Sequence, residues 1–263
     1  MRGQMQKPVV VKLGGSAITD KSKICEPRLE QIHRAIGEIT SYRKEMILLH
    51  GGGSFAHPFV TKKLLANGFK SRSQLQRVSE VELNLDQLTR IIGVSLLLRR
   101  RSFVPLRPMS LMTLQDGKVS KYFLRPLMEA LHLGMIPILH GDLVMDEKKG
   151  VGVVSADRIA SLLGEKLDLA KVLFGCDVDG VYAGPHDRTV IREVHKNDAA
   201  IVLKGLRQSN NDATGGMPGK VREALLLARP GVESHIFNLT TRNNLARLLN
   251  GESAIGTRFV PWK

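Results

Sequence analysis

Short runs of consecutive apolar residues alternate along this chain with stretches in which apolar positions recur every three or four residues. The first run, Val9-Val10-Val11-Lys12-Leu13, is β-branched and ends at Gly14-Gly15-Ser16. Pro27 then opens a stretch that places Leu29, Ile32, Ile36 and Ile39 on one helical face, so the order reads strand, loop, helix. Met46-Ile47-Leu48-Leu49 repeats the pattern. It runs into His50-Gly51-Gly52-Gly53-Ser54, and the segment that follows, through Leu64 and Leu65, reads as a helix stopped at Asn67-Gly68. Residues 104–106 and 136–139 read as buried strands, with Asp116-Gly117 and the charged stretch 146–149 as hairpin turns. The last third continues with a run at 170–174, a helix over 221–228, a strand over 235–239 and a final helix ending at Asn250-Gly251. Alternating strands and helices imply a mainly parallel sheet covered on both faces. Ligands bind such sheets beyond the carboxyl ends of the strands, where both glycine clusters fall. No Gly, Ser or Pro linker and no fixed-period repeat divides the chain, so one unit is expected.

Composition narrows the classes. At 263 residues and 43% hydrophobic, the chain can bury a substantial core. The apolar run 91–98 stops at Arg99, Arg100 and Arg101, short of the roughly 18 residues a spanning helix needs, so no membrane insertion is expected. The N-terminus passes directly into Lys7-Pro8-Val9 without an apolar leader, which predicts a cytoplasmic location. Cys25 and Cys176 lie far apart without a CxxC partner and read as free thiols. A net charge of +14 suits nucleic acid, an acidic membrane surface or an anionic substrate. Arg99 to Arg101 could contact nucleic-acid phosphates, but aromatics are only 5% of residues and no reader motif occurs, which disfavours that partner.

The candidate chemistry gathers at the glycine loops. One Gly-Gly pair alone reads as a tight turn, but two loops that each follow an apolar strand read as places where phosphate oxygens approach backbone N–H groups. Neither is a GxxxxGK[ST] loop, and neither is GxGxxG. Phosphoryl transfer needs cations beside such loops to neutralise charge on the migrating group. Lys12 at the end of the first strand, Lys21 after Gly14-Gly15, and Lys220 after a glycine-rich stretch qualify by position, although most of the 39 basic residues must be solvated. His57 follows the second loop and reads either as a packing histidine or as a donor to a bound anion. Asp157 opens a helix and reads as a helix-terminus charge or an organiser of the lysines. Asp177 and Asp179 follow a strand and could face nucleotide, a metal-bound water or only a turn.

The ordered set VKLGGSAITDK (11–21), HGGGSFAH (50–57), HGD (140–142), SAD (155–157), CDVDGVY (176–182), DATGGMPGK (212–220) and GTRF (256–259) resembles the amino acid kinase family, within it the branch that phosphorylates isopentenyl phosphate. The resemblance covers nearly the whole chain. It implies an α/β fold, an open αβα sandwich with a mainly parallel central sheet, forming a single domain over residues 1–263. About 1–169 would hold the acceptor and about 170–263 the nucleotide. It implies Mg2+ and ATP as cofactors, a small-molecule phosphate substrate and a homodimer. The reaction would be direct in-line conversion of isopentenyl phosphate to the diphosphate, in isoprenoid precursor synthesis. Lys12, Lys21 and Lys220 would hold the transferring group, Gly14 and Gly15 would meet the nucleotide phosphates, and Asp157 would position the lysines. Gly52, Gly53 and Ser54 would surround the acceptor phosphate, His57 would hydrogen-bond it, and Gly152 would lie on the same side. Asp177, Asp179, Tyr182 and Gly216 would lie by the nucleotide. A hydrocarbon pocket would draw on residues 68–98, where Val78, Val81, Leu85 and Leu88 form an apolar helical stripe that mostly packs the core. The sequence departs from the family at Ala56, usually glycine, and at Cys176, usually threonine, which bears on acceptor-loop geometry and on one nucleotide-side hydrogen bond. UMP, fosfomycin and glutamate are the rival acceptors on the same scaffold.

Overall fold

The apolar runs form strands in a computed structural model that describes residues 6–60, 71–184, 186–206, 216–253 and 255–262. In chain order the elements are β1 (Val9–Leu13), α1 (Gly15–Ile18), α2 (Leu29–Thr40), β2 (Met46–His50), α3 (Arg72–Leu97), β3 (Phe103–Pro105) and α4 (Pro108–Leu111). Next come β4 (Met112–Gln115), β5 (Lys118–Tyr122), α5 (Arg125–His132), β6 (Ile136–His140), β7 (Asp142–Asp146), β8 (Gly150–Val154) and α6 (Ala156–Lys166). The chain closes with β9 (Lys171–Cys176), β10 (Glu193–Val194), α7 (Ala199–Leu206), α8 (Gly216–Ala228), β11 (Ser234–Asn238), α9 (Asn244–Leu249) and β12 (Thr257–Phe259).

The main sheet has the strand order β10-β12-β11-β9-β1-β2-β6-β3. Its pairings are parallel except that of β11 with β12. Because side chains alternate across a strand, β1 feeds two cores. Val9, Val11 and Leu13 pack with Ile32 of α2, Leu88 of α3 and Leu245 of α9, whereas Val10 packs in the core that holds Leu163 of α6 and Ala224 of α8. Each such side chain, fully buried, contributes about 1.5–3 kcal/mol, so the five-residue run is held from both faces. This is the expected open αβα sandwich. β9 pairs with β1 from Val9↔Lys171 to Leu13↔Gly175, so the sheet runs unbroken across residues 169 and 170.

The structure adds a second, four-stranded sheet, β5-β4-β7-β8, that a reading of one mainly parallel sheet did not place. It grows from the two predicted hairpin turns. Asp116 and Gly117 both have positive φ, 53° and 78°, the conformation a two-residue type I′ turn requires. The buried Asp146 carboxylate accepts backbone N–H groups from Asp116, Gly117, Lys148 and Lys149, so one side chain ties both turns together.

One expectation changes in kind. After the second glycine loop the described residues form a 3-10 turn, Gly53–Phe55, rather than the start of a long helix, because Gly53 takes a left-handed φ of 51° that turns the chain away. The proposed helix end at Leu64, Leu65, Asn67 and Gly68 lies outside the described residues. The long helix α3 begins instead at a capping box, in which the Ser71 hydroxyl accepts from the Gln74 amide and the Gln74 side chain accepts from the Ser71 amide.

Candidate active site

β1 and β2 are parallel neighbours with Leu13 opposite His50, so both glycine loops leave the sheet at the same level. They then pack backbone against backbone. A Cβ on Gly15 would lie 2.5 Å from the Gly53 nitrogen, and one on Gly51 would lie 2.8 Å from the Gly15 nitrogen. Contacts that close exclude any side chain and explain why glycine occupies both loops. Thr19 staples them, its hydroxyl donating to the Gly15 carbonyl at 2.7 Å and accepting from the Ser54 amide at 3.0 Å.

Lys12 is in phase with Val10 on β1 and therefore projects to the side where α6 and α8 begin. Ser155 caps α6 by accepting from the Arg158 amide at 3.0 Å, which sets Asp157 in the first helical turn. Asp157 Oδ1 lies 2.8 Å from Lys12 Nζ, and Asp157 Oδ2 accepts from Lys220 Nζ at 3.0 Å. Burial opposes ionisation of Asp157, but the two ammonium groups override it and hold the carboxyl far below its usual range. Burial also pushes Lys12 down, to about 8, with Lys220 adding to the drop and Asp157 resisting it. For Lys220 burial again works against the charge, yet the Asp157 carboxylate wins and holds it above its ordinary value. Two ammonium groups around one carboxylate leave a centre with surplus positive charge, ready for an anion.

This centre opens into a cavity of about 1210 Å3 lined by Lys12, Lys21, His57, Asp157 and Lys220, with Gly14, Gly15, Gly52, Gly53, Gly152 and Gly216. Lys21 and His57 are exposed at its edge. One end of the cavity is apolar, formed by Val60, Val81, Leu85, Leu143 and Val153 beside Ala56. Val81 and Leu85 come from the predicted stripe and pack with Val78, Leu143 and Val151, while Leu88 belongs to the core under the main sheet. At the other end Ser16 Oγ donates to Asp177 Oδ1 at 2.8 Å, joining the first glycine loop to the end of β9. Arg158, which ion-pairs with Glu165 at 2.9 Å, and Glu223, pushed up by burial, also line that end.

Three predicted site residues sit differently. Ser54 is buried, and its hydroxyl accepts from the Glu26 amide and donates to the Glu26 carbonyl, so it holds the loop together and is not among the residues lining the cavity. Asp179 accepts from Asn238 Nδ2 at 2.8 Å, and Tyr182 bridges to Val190 with the Arg188 guanidinium over its ring; neither lines the cavity. Residues 212–215 of the glycine-rich stretch before Lys220 lie outside the described residues. Cys176 lines the cavity, its thiol 3.2 Å from the Phe237 carbonyl oxygen and 3.3 Å from that of Val178, so carbonyl groups meet it where a hydroxyl was expected. The residues that sequence reasoning missed are Ser16, Arg158, Glu223 and Asp142. Asp142 closes the HGD motif, and Ser16 directly follows the glycine pair, which were the signals to be had.

The geometry suits transfer of a phosphoryl group between two anions that meet across the Lys12–Asp157–Lys220 centre. Comparison with known proteins agrees. Residues 7–238 match the amino acid kinase family. An isopentenyl phosphate kinase of Methanothermobacter thermautotrophicus is 32% identical over 96% of this chain and 98% of its own length. Another, of Methanocaldococcus jannaschii, is 30% identical over 92% and 95%. A crystal structure of an isopentenyl phosphate kinase superposes with a TM-score of 0.82 at 27% identity, covering 96% of this chain and 99% of the other.

Proposed function

This chain belongs to the amino acid kinase family, and on that premise we propose that it transfers the γ-phosphoryl group of ATP to isopentenyl phosphate, releasing ADP and isopentenyl diphosphate. A bond forms between an acceptor phosphate oxygen and the γ-phosphorus as the bond to the β-phosphate oxygen breaks. The acceptor oxygen is already anionic, so the protein needs to orient it and neutralise charge rather than remove a proton.

One observation carries this reading: the lysine-rich centre and paired glycine loops share a cavity with an apolar end. Val60, Val81, Leu85, Leu143 and Val153 suit a five-carbon hydrocarbon. They offer no partner to the ammonium group of glutamate or to a uracil ring, whose polar atoms would be stranded. Lys12 and Lys220 would meet the migrating group, with Lys21 reaching it from the cavity edge. Gly52, Gly53 and the His57 imidazole would receive the acceptor phosphate, while Gly14 and Gly15 would receive the nucleotide. Residues of about 1–169 would supply most acceptor contacts, and residues of about 170–263 most nucleotide contacts, with Gly14 and Gly15 of the first glycine loop reaching across to the nucleotide.

Among the described residues no group of three or more acidic, histidine or cysteine side chains could cage a metal ion. Mg2+ would fit here as a partner of the ATP phosphates, retaining several waters as this small cation prefers, with Asp177 among the carboxylates that line the cavity. It would neutralise charge on the nucleotide.

A homodimer is supported by exposed apolar residues on one side of α3 and its end, Leu83, Val94, Leu97 and Leu98. Light scattering should give twice the mass of one chain. Among the described residues no helix is long and apolar enough to cross a membrane, and a cytoplasmic location, where ATP is supplied, follows from the proposed reaction.

The test is ADP release by the purified protein with Mg-ATP and isopentenyl phosphate, UMP, fosfomycin or glutamate in parallel. Turnover dependent on isopentenyl phosphate is expected. Turnover with one of the others alone would keep the lysine centre and overturn the acceptor.

A further inference from the structure

Behind the apolar end of the cavity, two carboxyl groups face each other between α3 and β7. Glu82 is only 8% exposed, and neither of its oxygens has a hydrogen-bond donor. Its neighbour is Asp142, 2% exposed, at the start of β7. Asp142 is well supplied: Oδ2 accepts from the Met109 amide at 2.8 Å and Oδ1 from the Leu143 amide at 2.9 Å. Two ionised carboxylates are both acceptors and cannot bond to each other, so the contact is satisfied only when one of them carries a proton. The backbone donors stabilise Asp142 as the anion, which leaves Glu82 as the acid.

We infer that Glu82 is a positioning residue for the acceptor. As a neutral carboxyl group it donates to Asp142 and holds α3, with Val81 and Leu85, against β7, with Leu143, so that the pair behind the acceptor carries one negative charge rather than two. This rests on the reading that the apolar end of the cavity receives the acceptor.

The groups around the pair agree with that assignment. Burial pushes Glu82 up to about 8, the Asp142 charge adds to the rise, and His140 and Arg107 oppose it. Burial raises Asp142 too, though Glu82 and the Met109 and Leu143 amides pull it back. His140 on β6 has its Nδ1 3.8 Å from Asp142 Oδ1, but burial lowers its pKa, and its ring packs against buried His50 at 5.3 Å between centroids. His50 is itself pushed down to about 3 by burial. Arg107 is ion-paired with Asp86, one turn along α3 from Glu82.

A carboxyl whose pKa is raised is neutral below that value and ionised above it. The singly protonated pair is therefore present at pH 7 and lost as pH rises through about 8. Ionisation places a second negative charge behind a pocket that must hold an anion.

The experiment measures the acceptor KM at saturating ATP across this range, in the wild type and in Glu82→Gln, using whichever acceptor supports turnover. In the wild type KM rises about tenfold between pH 7 and pH 9, the change a single titration near 8 produces when only the protonated form binds. In Glu82→Gln, whose amide can donate to Asp142 at every pH, that rise disappears while kcat at pH 7 is retained. Glu82→Ala has a raised KM at all pH values. Difference infrared spectra of the substrate-free protein supply an independent readout, a protonated-carboxyl band in the wild type that is absent in Glu82→Gln. A wild-type KM that is flat with pH, a rise that persists in Glu82→Gln, or the lack of that band would each overturn the inference. Because the acceptor is chosen by turnover, failure with isopentenyl phosphate alone would overturn the proposed acceptor and leave the Glu82 result to stand.

Discussion

Asp142 is a buried and Asp157 a part-buried carboxylate lining the same cavity, and their surroundings solve the cost of burying charge in opposite ways. Asp157 is shared by two ammonium groups, so the cluster remains charged and carries surplus positive charge. Asp142 has two backbone N–H donors and a second carboxyl group, so that cluster sheds charge by keeping a proton. The difference follows the work required at each end. The transferring group brings negative charge that offsets the surplus cation, whereas the hydrocarbon end brings nothing that could compensate a second ion.

The largest effect should come from breaking the charged cluster at its hub. Asp157→Asn leaves two buried ammonium groups without a counter-charge and should lower stability by about 3–5 kcal/mol, read as a fall in the denaturation midpoint. An unchanged midpoint would mean that the lysines are solvated rather than paired.

Lys220→Ala sharpens the contrast, because it leaves Asp157 balanced by Lys12 alone. The fold should survive, while loss of a cation from the migrating group should lower kcat by about 10²–10³. Undiminished kcat in a folded variant would remove Lys220 from the chemical step.

The next test uses pH on the unmodified protein. The ammonium form of Lys12 is needed and its pKa is lowered to about 8, so charge is present below that value and lost above it. kcat/KM for ATP, which reports the free enzyme, should fall about tenfold per pH unit beyond about 8. kcat should stay level further, because bound phosphates hold the ammonium charged. Varying ATP at saturating acceptor separates this titration from that of Glu82, which acts on acceptor KM.

The most local of these effects is expected from His57→Ala. Loss of one charge-assisted hydrogen bond of about 1.5–3 kcal/mol should raise the acceptor KM ten- to a hundredfold with little change in ATP KM. Equal effects on both substrates would place His57 away from the acceptor.

Much of this site could be read from the order of residue types. Apolar runs that end in glycine, a lysine near the end of the first strand, and a Ser-Ala-Asp helix start are local patterns, and backbone sterics and capping act over a few residues. Ser54 shows where such reading stops. It stands in the expected motif, but its hydroxyl bonds to Glu26, a partner chosen by the path of a distant loop. Asp179 and Tyr182 follow the same rule, as one is held by Asn238 and the other bridges to Val190.

By itself, then, the sequence determined the alternation of strands and helices that builds the main sheet, the two glycine loops and the lysines beside them, because these depend on alternation, helical period and the absence of a Cβ. Only the tertiary structure decided that α6 and α8 bring Asp157 and Lys220 onto Lys12, that a second sheet walls the cavity, and that Glu82 meets Asp142. Those contacts join residues far apart in the chain. No local preference records which of them packing will bring together, or whether a buried carboxyl will find a cation or keep its proton.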